Sequence, residues 1–186
     1  MELVTFSTPD LCARRTPLMM GLLVVLLVAM ASGRAHAEPS FEGTYTYAGG
    51  ESQRAALSKA IEDVVSQMNA LIRSVARTKL TSRIGIAPRL SFRRDGETLI
   101  LTHPPLPSRP LRFGGQPLAM RNQSGDDVTV VHRRQGQAIV EIIRCGRSTR
   151  TITYRLQGQT MIVSVNIQSP FLPTPIRFAL SYHRVQ

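Results

Sequence analysis

The residues able to do chemistry in this chain are scattered. His103, His132 and His183 share no metal-binding spacing such as H-x-x-x-H. No serine stands in the G-x-S-x-G setting that raises an acyl-transfer nucleophile. The adjacent acids Glu62-Asp63 read as a helix surface and Asp126-Asp127 as a turn. His103, next to Pro104, reads as a solvated or capped residue at a strand end. These types in this order assemble no nucleophile, base and orienting group, so the expectation is a protein that is not an enzyme and uses no cofactor and no metal. A pocket joining Arg144, a histidine and an acid would reverse it. Pro104-Pro105-Leu106-Pro107-Ser108-Arg109 fits the P-x-x-P-x-R pattern of polyproline ligands, but a stiff loop between two strands explains it as well.

The N-terminus has the marks of an export signal over residues 1–37. Arg14 and Arg15 give a positive start, Leu18 to Ala31 is apolar, and Ala35-His36-Ala37 offers small residues for cleavage. The apolar run is shorter than the roughly 20 residues of a membrane span; a retained anchor is the alternative. The expected product is one domain, residues 38–186, in the periplasm or outside the cell. Cys12 leaves with the signal, and Cys145 then has no intrachain partner: it is either buried or open to intermolecular pairing. The formal charge is +11, and Lys59 and Lys79 are the chain's lysines, the other basic residues being arginines. That balance suits anionic surfaces, and export makes nucleic acid the least fitting of them.

The positioning elements follow from periodicity. Phe41 to Tyr47 alternates as a half-buried strand and stops at Gly49-Gly50. Ser52 to Lys79 lacks glycine and proline, and Leu57, Ile61, Val64, Met68, Leu71 and Val75 form one stripe at helical spacing. The pattern predicts one long amphipathic helix over about 52–79, serving as a lid, as a gate, or as a membrane-surface helix. From Pro88 the period becomes two, with turns at Asp95-Gly96, Gly125-Asp126, Gln135-Gly136, Gly146 and Gln157-Gly158. The fold class is mainly β (α+β): an antiparallel up-and-down meander barrel with the helix after the first strand.

Alternation also sorts faces. Val140 and Ile142 fall on one side with Arg144; Ile152, Tyr154 and Leu156 share a face; so do Met161, Val163, Val165 and Ile167, and Ile176, Phe178, Leu180 and Tyr182. One apolar face per strand implies a sheet wrapped around a greasy interior. The candidate lining is Leu90, Phe92, Leu99, Leu101, Val130, Val140, Ile142, Ile152, Tyr154, Val163, Val165, Phe178, Leu180 and Tyr182. The interior is either a solid core or a small-ligand cavity, since barrels of this size stand near that border.

The start Phe41-Glu42-Gly43-Thr44-Tyr45, a helical insertion and a long meander together resemble the calycins, the lipocalin and fatty-acid-binding-protein group. The resemblance implies an up-and-down barrel that holds a fatty acid or similar amphiphile under a helical lid. The group inserts two short helices where this chain shows one unbroken pattern. Its last strand often carries Arg-x-Tyr to hold a carboxylate; Leu180, Ser181 and Tyr182 stand there, so only the tyrosine carries over. Arg155 lies near a second interior arginine of the group, yet its alternation turns it outward. The leading expectation is a non-catalytic binder of a hydrophobic small molecule or lipid, with an anionic membrane surface as a further partner. The alternative is an envelope-associated protein with a solid core and a basic face for anionic lipid or polysaccharide.

Overall fold

A computed structural model describes residues 40–122 and 124–185. The export signal expected over 1–37 lies outside them, as does Cys12. The described chain is a single antiparallel sheet of ten strands in the order β4-β3-β2-β1-β10-β9-β8-β7-β6-β5. Its strands are β1 (Gly43–Tyr47), β2 (Arg89–Asp95), β3 (Thr98–Thr102), β4 (Arg109–Pro110), β5 (Leu118–Arg121), β6 (Asp127–Gln135), β7 (Ala138–Cys145), β8 (Ser148–Gln157), β9 (Thr160–Gln168) and β10 (Ile176–Val185). Chain neighbours pair except β4 and β5, which stand at the two edges of the sheet, and the last strand returns to the first with Tyr47 opposite Tyr182. That is the expected meander. The sheet curls until its ends meet, because the segment after β4 bridges to β6 at Phe113 and His132.

The lid consists of two helices, α1 (Gly50–Val65) and α2 (Arg73–Arg83), joined through a short 3-10 turn at Ala70–Ile72. This corrects the single helix expected over 52–79. The break comes from Asn69, whose side chain accepts the Leu71 N–H and starts a new turn. Asparagine competes for backbone donors in this way, and no glycine or proline advertises it. The apolar stripe splits there too. Leu57, Ile61, Val64 and Met68 are buried, whereas Leu71 is 88 % and Val75 55 % exposed. Glu62 on α1 and Arg77 on α2 form an ion pair across the bend.

The hydrophobic residues settle into two clusters. One fills the barrel with Tyr45, Leu90, Phe92, Leu101, Val130, Ile139, Ile152, Tyr154, Met161, Val163, Val165, Leu180 and Tyr182 among others. The other joins Leu57, Ile61, Val64, Val65 and Met68 of the lid to Ile84 and Ile176. Ile86, Ile167 and Phe178 touch both. All these residues lie between Phe41 and Tyr182. Among the described residues no helix is long and apolar enough to cross a membrane.

The opening Phe-Glu-Gly-Thr-Tyr now has a physical reading. Tyr45 is fully buried; its hydroxyl donates to the Phe41 carbonyl and accepts from Arg184 of β10. Gly43, at φ 140°, lets the Arg184 side chain pass where a Cβ would stand 3.3 Å from its Nε. The motif therefore ties the first strand to the last.

At the lid end, the Gln53 side chain replaces the strand that β1 no longer supplies. Its Oε1 accepts the Ser181 N–H at 2.8 Å, and its Nε2 donates to the Ser181 hydroxyl at 2.9 Å. Gly49 makes room for it: a Cβ there would lie 1.9 Å from Gln53 Oε1. Gly49→Ala should push Gln53 off β10 and cost about 1–2 kcal/mol, read as a lower urea midpoint. The loss should be clearly smaller in a Gln53→Ala background, where the Tyr47 hydroxyl, 2.8 Å from the new Cβ, is the remaining obstacle. Equal losses in both backgrounds would show that the clasp is not the reason for the glycine.

Candidate functional site

The barrel interior holds a polar cluster that sequence reading did not assemble. Glu141 on β7 is fully buried and faces inward. Arg109, the last residue of the proline-rich loop and the first of β4, reaches it with two bonds: Nε to Oε1 at 2.6 Å and Nη2 to Oε2 at 2.8 Å. His132 of β6 lies 3.2 Å from Oε1 through Nε2, and the Tyr154 hydroxyl of β8 donates to Oε2 at 3.0 Å. Each carboxylate oxygen thus takes two donors, which fills its acceptor capacity. The protons can be placed by elimination. His132 Nδ1 accepts the Arg112 N–H at 3.4 Å, so its proton sits on Nε2. Tyr154 gives its proton to Glu141, so His103 donates from Nδ1 to the Tyr154 oxygen at 2.6 Å.

The electrostatics follow from that wiring. Burial by itself would raise the Glu141 pKa, but the hydrogen bonds from His132 and Arg109 hold it down at about 2. His103 is buried and its pKa falls to about 4, chiefly through desolvation; Arg150 and Arg109 push the same way and Glu141 opposes them. The Tyr154 hydroxyl is driven well above its ordinary value by burial and by Glu141. His103 is therefore not the solvated strand-end residue expected, and Arg109 is not displayed as part of a polyproline ligand: it is 1 % exposed.

Arg150 is the odd member. It stands on β8 in register with Ile143 and Ile167 and shares the inward face of Ile152 and Tyr154. Its Nε is buried with no hydrogen-bond partner. Burial lowers its pKa, against the pull of Tyr154, Glu141 and Tyr182, yet a guanidinium remains charged in proteins. Glu141 cannot pair with it because Arg109, His132 and Tyr154 already occupy both oxygens. Two guanidiniums and one carboxylate around Tyr154 leave one positive charge unbalanced.

The expected lining divides in two. Leu90, Phe92, Leu101, Val130, Ile152, Tyr154, Val163, Val165, Leu180 and Tyr182 belong to the buried barrel cluster, with Leu99 and Phe178 packed against it. Val140 and Ile142 do not face inward. Ile139 pairs with Tyr154 and Glu141 with Ile152, so the inward face of β7 is Ile139, Glu141 and Ile143, and the alternating residues point outward. The β7 run is apolar on both faces, so alternation there had two phases; exposed Arg144, in step with Val140 and Ile142, marked the outer one. Arg155 is exposed as expected, and Cys145 is half-buried. The inward-facing arginine of β8 is Arg150, which shares a face with Ile152 and Tyr154. That signal was readable.

The interior aromatics pack edge to face, Phe92 against Tyr154 at 5.5 Å and against Tyr45 at 6.2 Å between centroids. The lid end is looser. Ile86, Ile167 and Phe178 are only partly buried between lid and barrel, and Ile167 is the register partner of Arg150.

Stability should therefore fall on acidification in two stages. The folded His103 pKa lies below its ordinary 6.5, at about 4, so the unfolded chain takes up the proton first and stability drops as pH falls from about 6.5 to 4. Glu141 takes over from about 4.5 toward 2. The first stage amounts to roughly 3 kcal/mol. Urea titrations at pH 7 and pH 4.5 should show it in the native chain and show a clearly smaller drop in His103→Gln. An unchanged drop in the variant would assign the slope to other groups.

No family model matches the chain, and no curated protein matches it. Solved structures do. A secretory abundant heat soluble protein from Ramazzottius varieornatus is 8 % identical over 78 % of this chain and 95 % of its own, with a TM-score of 0.52. A Schistosoma mansoni fatty acid binding protein in complex with arachidonic acid is 15 % identical over 80 % and 98 %, with a TM-score of 0.49. At such identities the likeness concerns the fold alone, and it places this chain's ten-stranded, helix-lidded sheet among calycin-like folds.

Proposed function

We propose that the protein is an exported, non-catalytic binding protein that holds a hydrophobic acid in its barrel, with the carboxylate on Arg150. The observation that carries this reading is the buried guanidinium nitrogen without a partner, in an interior whose one nearby carboxylate is saturated. Arg150 is half-buried and its Nε is shut off from water without a partner; a ligand anion would satisfy that nitrogen with a charge-assisted bond. Tyr182, an electrostatic neighbour of Arg150 on β10, is the tyrosine left of the Arg-x-Tyr pattern. The ligand's tail would lie along Ile86, Ile167 and Phe178, where lid and barrel clusters meet. The fatty acid binding protein among the similar structures is in complex with arachidonic acid, which makes long-chain acids sensible first probes.

Titration with oleate and with oleyl alcohol tests the reading directly. The native chain should prefer the acid, and Arg150→Gln should weaken oleate about tenfold or more while leaving the alcohol nearly unchanged. Failure to bind any fatty acid, or equal oleate affinity in the variant, would end it. A stability measurement adds an independent arm. Arg150→Leu should raise the melting temperature of the ligand-free protein, because it replaces an unpaired charge by an apolar side chain. A lowered melting temperature would make Arg150 a structural residue.

A further inference from the structure

A second feature lies at the lid end of the barrel, outside the interior. The meander places the β7–β8 turn and the β9–β10 loop at the same end as the helices, and Leu172 of that loop packs against the lid cluster. Between turn and loop is an open groove of about 320 Å³, lined by Arg147, Thr149, Gln168, Ser169, Thr174 and the loop's prolines and leucine. Its polar side chains are one cation, three hydroxyls and one amide, with no acid among them. Such a set offers donors and wants an anion with several acceptor oxygens.

Beside the groove stands Phe171, 76 % exposed. The loop holding it is stiff: Pro170, Pro173 and Pro175 fix its backbone. The Ser169 hydroxyl is bonded to Ser148 at 2.9 Å and to the Phe171 N–H at 3.4 Å. One exposed aromatic is ordinary by itself; Phe171 is set apart by its place on a braced loop beside a groove lined with donors. The other strongly exposed apolar side chains of the lid end, Leu71, Ile72 and Val75, stand on or next to α2, which carries Arg73, Arg77, Lys79 and Arg83 and no acid. The α2 side of this end is therefore apolar at its tips and basic between them, with Arg77 paired to Glu62 of α1 and Arg73, Lys79 and Arg83 making no ion pair among the described residues, in a chain of net charge +11. That combination complements an anionic bilayer, which offers phosphates at the level of the groove and hydrocarbon below it.

We infer that the groove between the β7–β8 turn and the β9–β10 loop seats the phosphate of an anionic phospholipid, with Phe171 embedded among the acyl chains. The docked protein then stands lid-down, with the groove as a headgroup site and the helices on the same surface. This inference stands whatever the interior holds.

Residues 38–186, the product expected after signal cleavage, are the material for the test once cooperative thermal unfolding has verified their folding. Co-sedimentation with phosphatidylcholine vesicles, with and without 30 % phosphatidylglycerol by design, should show binding to the mixed vesicles only. Phe171→Ser and Arg147→Gln should each reduce the partition coefficient on the order of tenfold. Arg177→Gln, an exposed arginine outside the groove, and Arg150→Gln should change it less than twofold. Both groove residues are exposed, so unaltered thermal unfolding of the variants verifies their folding. Glycerol 3-phosphate at millimolar concentration should not release the protein from vesicles. No binding, equal binding to neutral vesicles, or native binding in the two groove variants would overturn the inference. Release by glycerol 3-phosphate together with an indifferent Phe171→Ser would assign the groove to a soluble phosphate and overturn it as well.

Discussion

The saturation of one carboxylate governs this barrel. Glu141 is buried among strands that need a closed sheet, and its two oxygens receive Arg109, His132 and Tyr154 from three other strands. Those donors stand on β4, β6 and β8, so the carboxylate fastens the edge strand β4 to the far side of the sheet. The backbone alone joins those ends at a single bridge, Phe113 with His132. A buried ion pair contributes little net stability over an apolar replacement. What it contributes here is geometry, because any slip of β4 would strand both a guanidinium and a carboxylate in the core.

The same saturation sets Arg150 apart from Arg109. Both guanidiniums are drawn toward the interior, and burial opposes the charge of both. Arg109 recovers the loss through two hydrogen bonds to Glu141, whereas the buried Nε of Arg150 has no hydrogen-bond partner. On β8, Arg150 lies four residues from Tyr154, about 13 Å along an extended strand, on the side of the β7–β8 turn and the lid. The paired arginine thus belongs to the closed middle of the barrel, and the unpaired one to the end where apolar side chains are only half covered.

How much of this was legible differs by element. The strand order, the turns and the lidding segment followed from periodicity, because each late strand has one apolar and one polar face. Strand β7 was the exception: Ala138 to Ile143 is apolar save for Glu141, and a run greasy on both sides does not declare its phase. Taking Val140 and Ile142 as inward hid Glu141, and with it the network. The lid break was hidden for another reason, since Asn69 works through a side-chain bond that apolar spacing does not record. Arg109 lay in a proline-rich loop, where an exposed arginine is the ordinary expectation; only the tertiary partner buries it. Arg150 was accessible from alternation, being in phase with Ile152 and Tyr154.

The two ends of the molecule consequently serve different requirements. Around Phe41, Tyr45 and Arg184 the first and last strands are locked by hydrogen bonds from a charged side chain to a buried hydroxyl and a carbonyl. At the lid end the fastenings are of another kind: Gln53 on Ser181, Tyr182 on the Ala87 carbonyl, and the buried apolar cluster that joins α1 to Ile84 and Ile176. Local opening takes place where buried apolar contacts are sparse and hydrogen bonds are exposed. Helix α2, none of whose residues is buried, meets that condition, and the exposed Leu71, Ile72 and Val75 stand on or next to it. A route into the barrel needs an end able to part without unzipping the sheet, and Glu141 makes that division possible by holding the seam through side chains away from the lid.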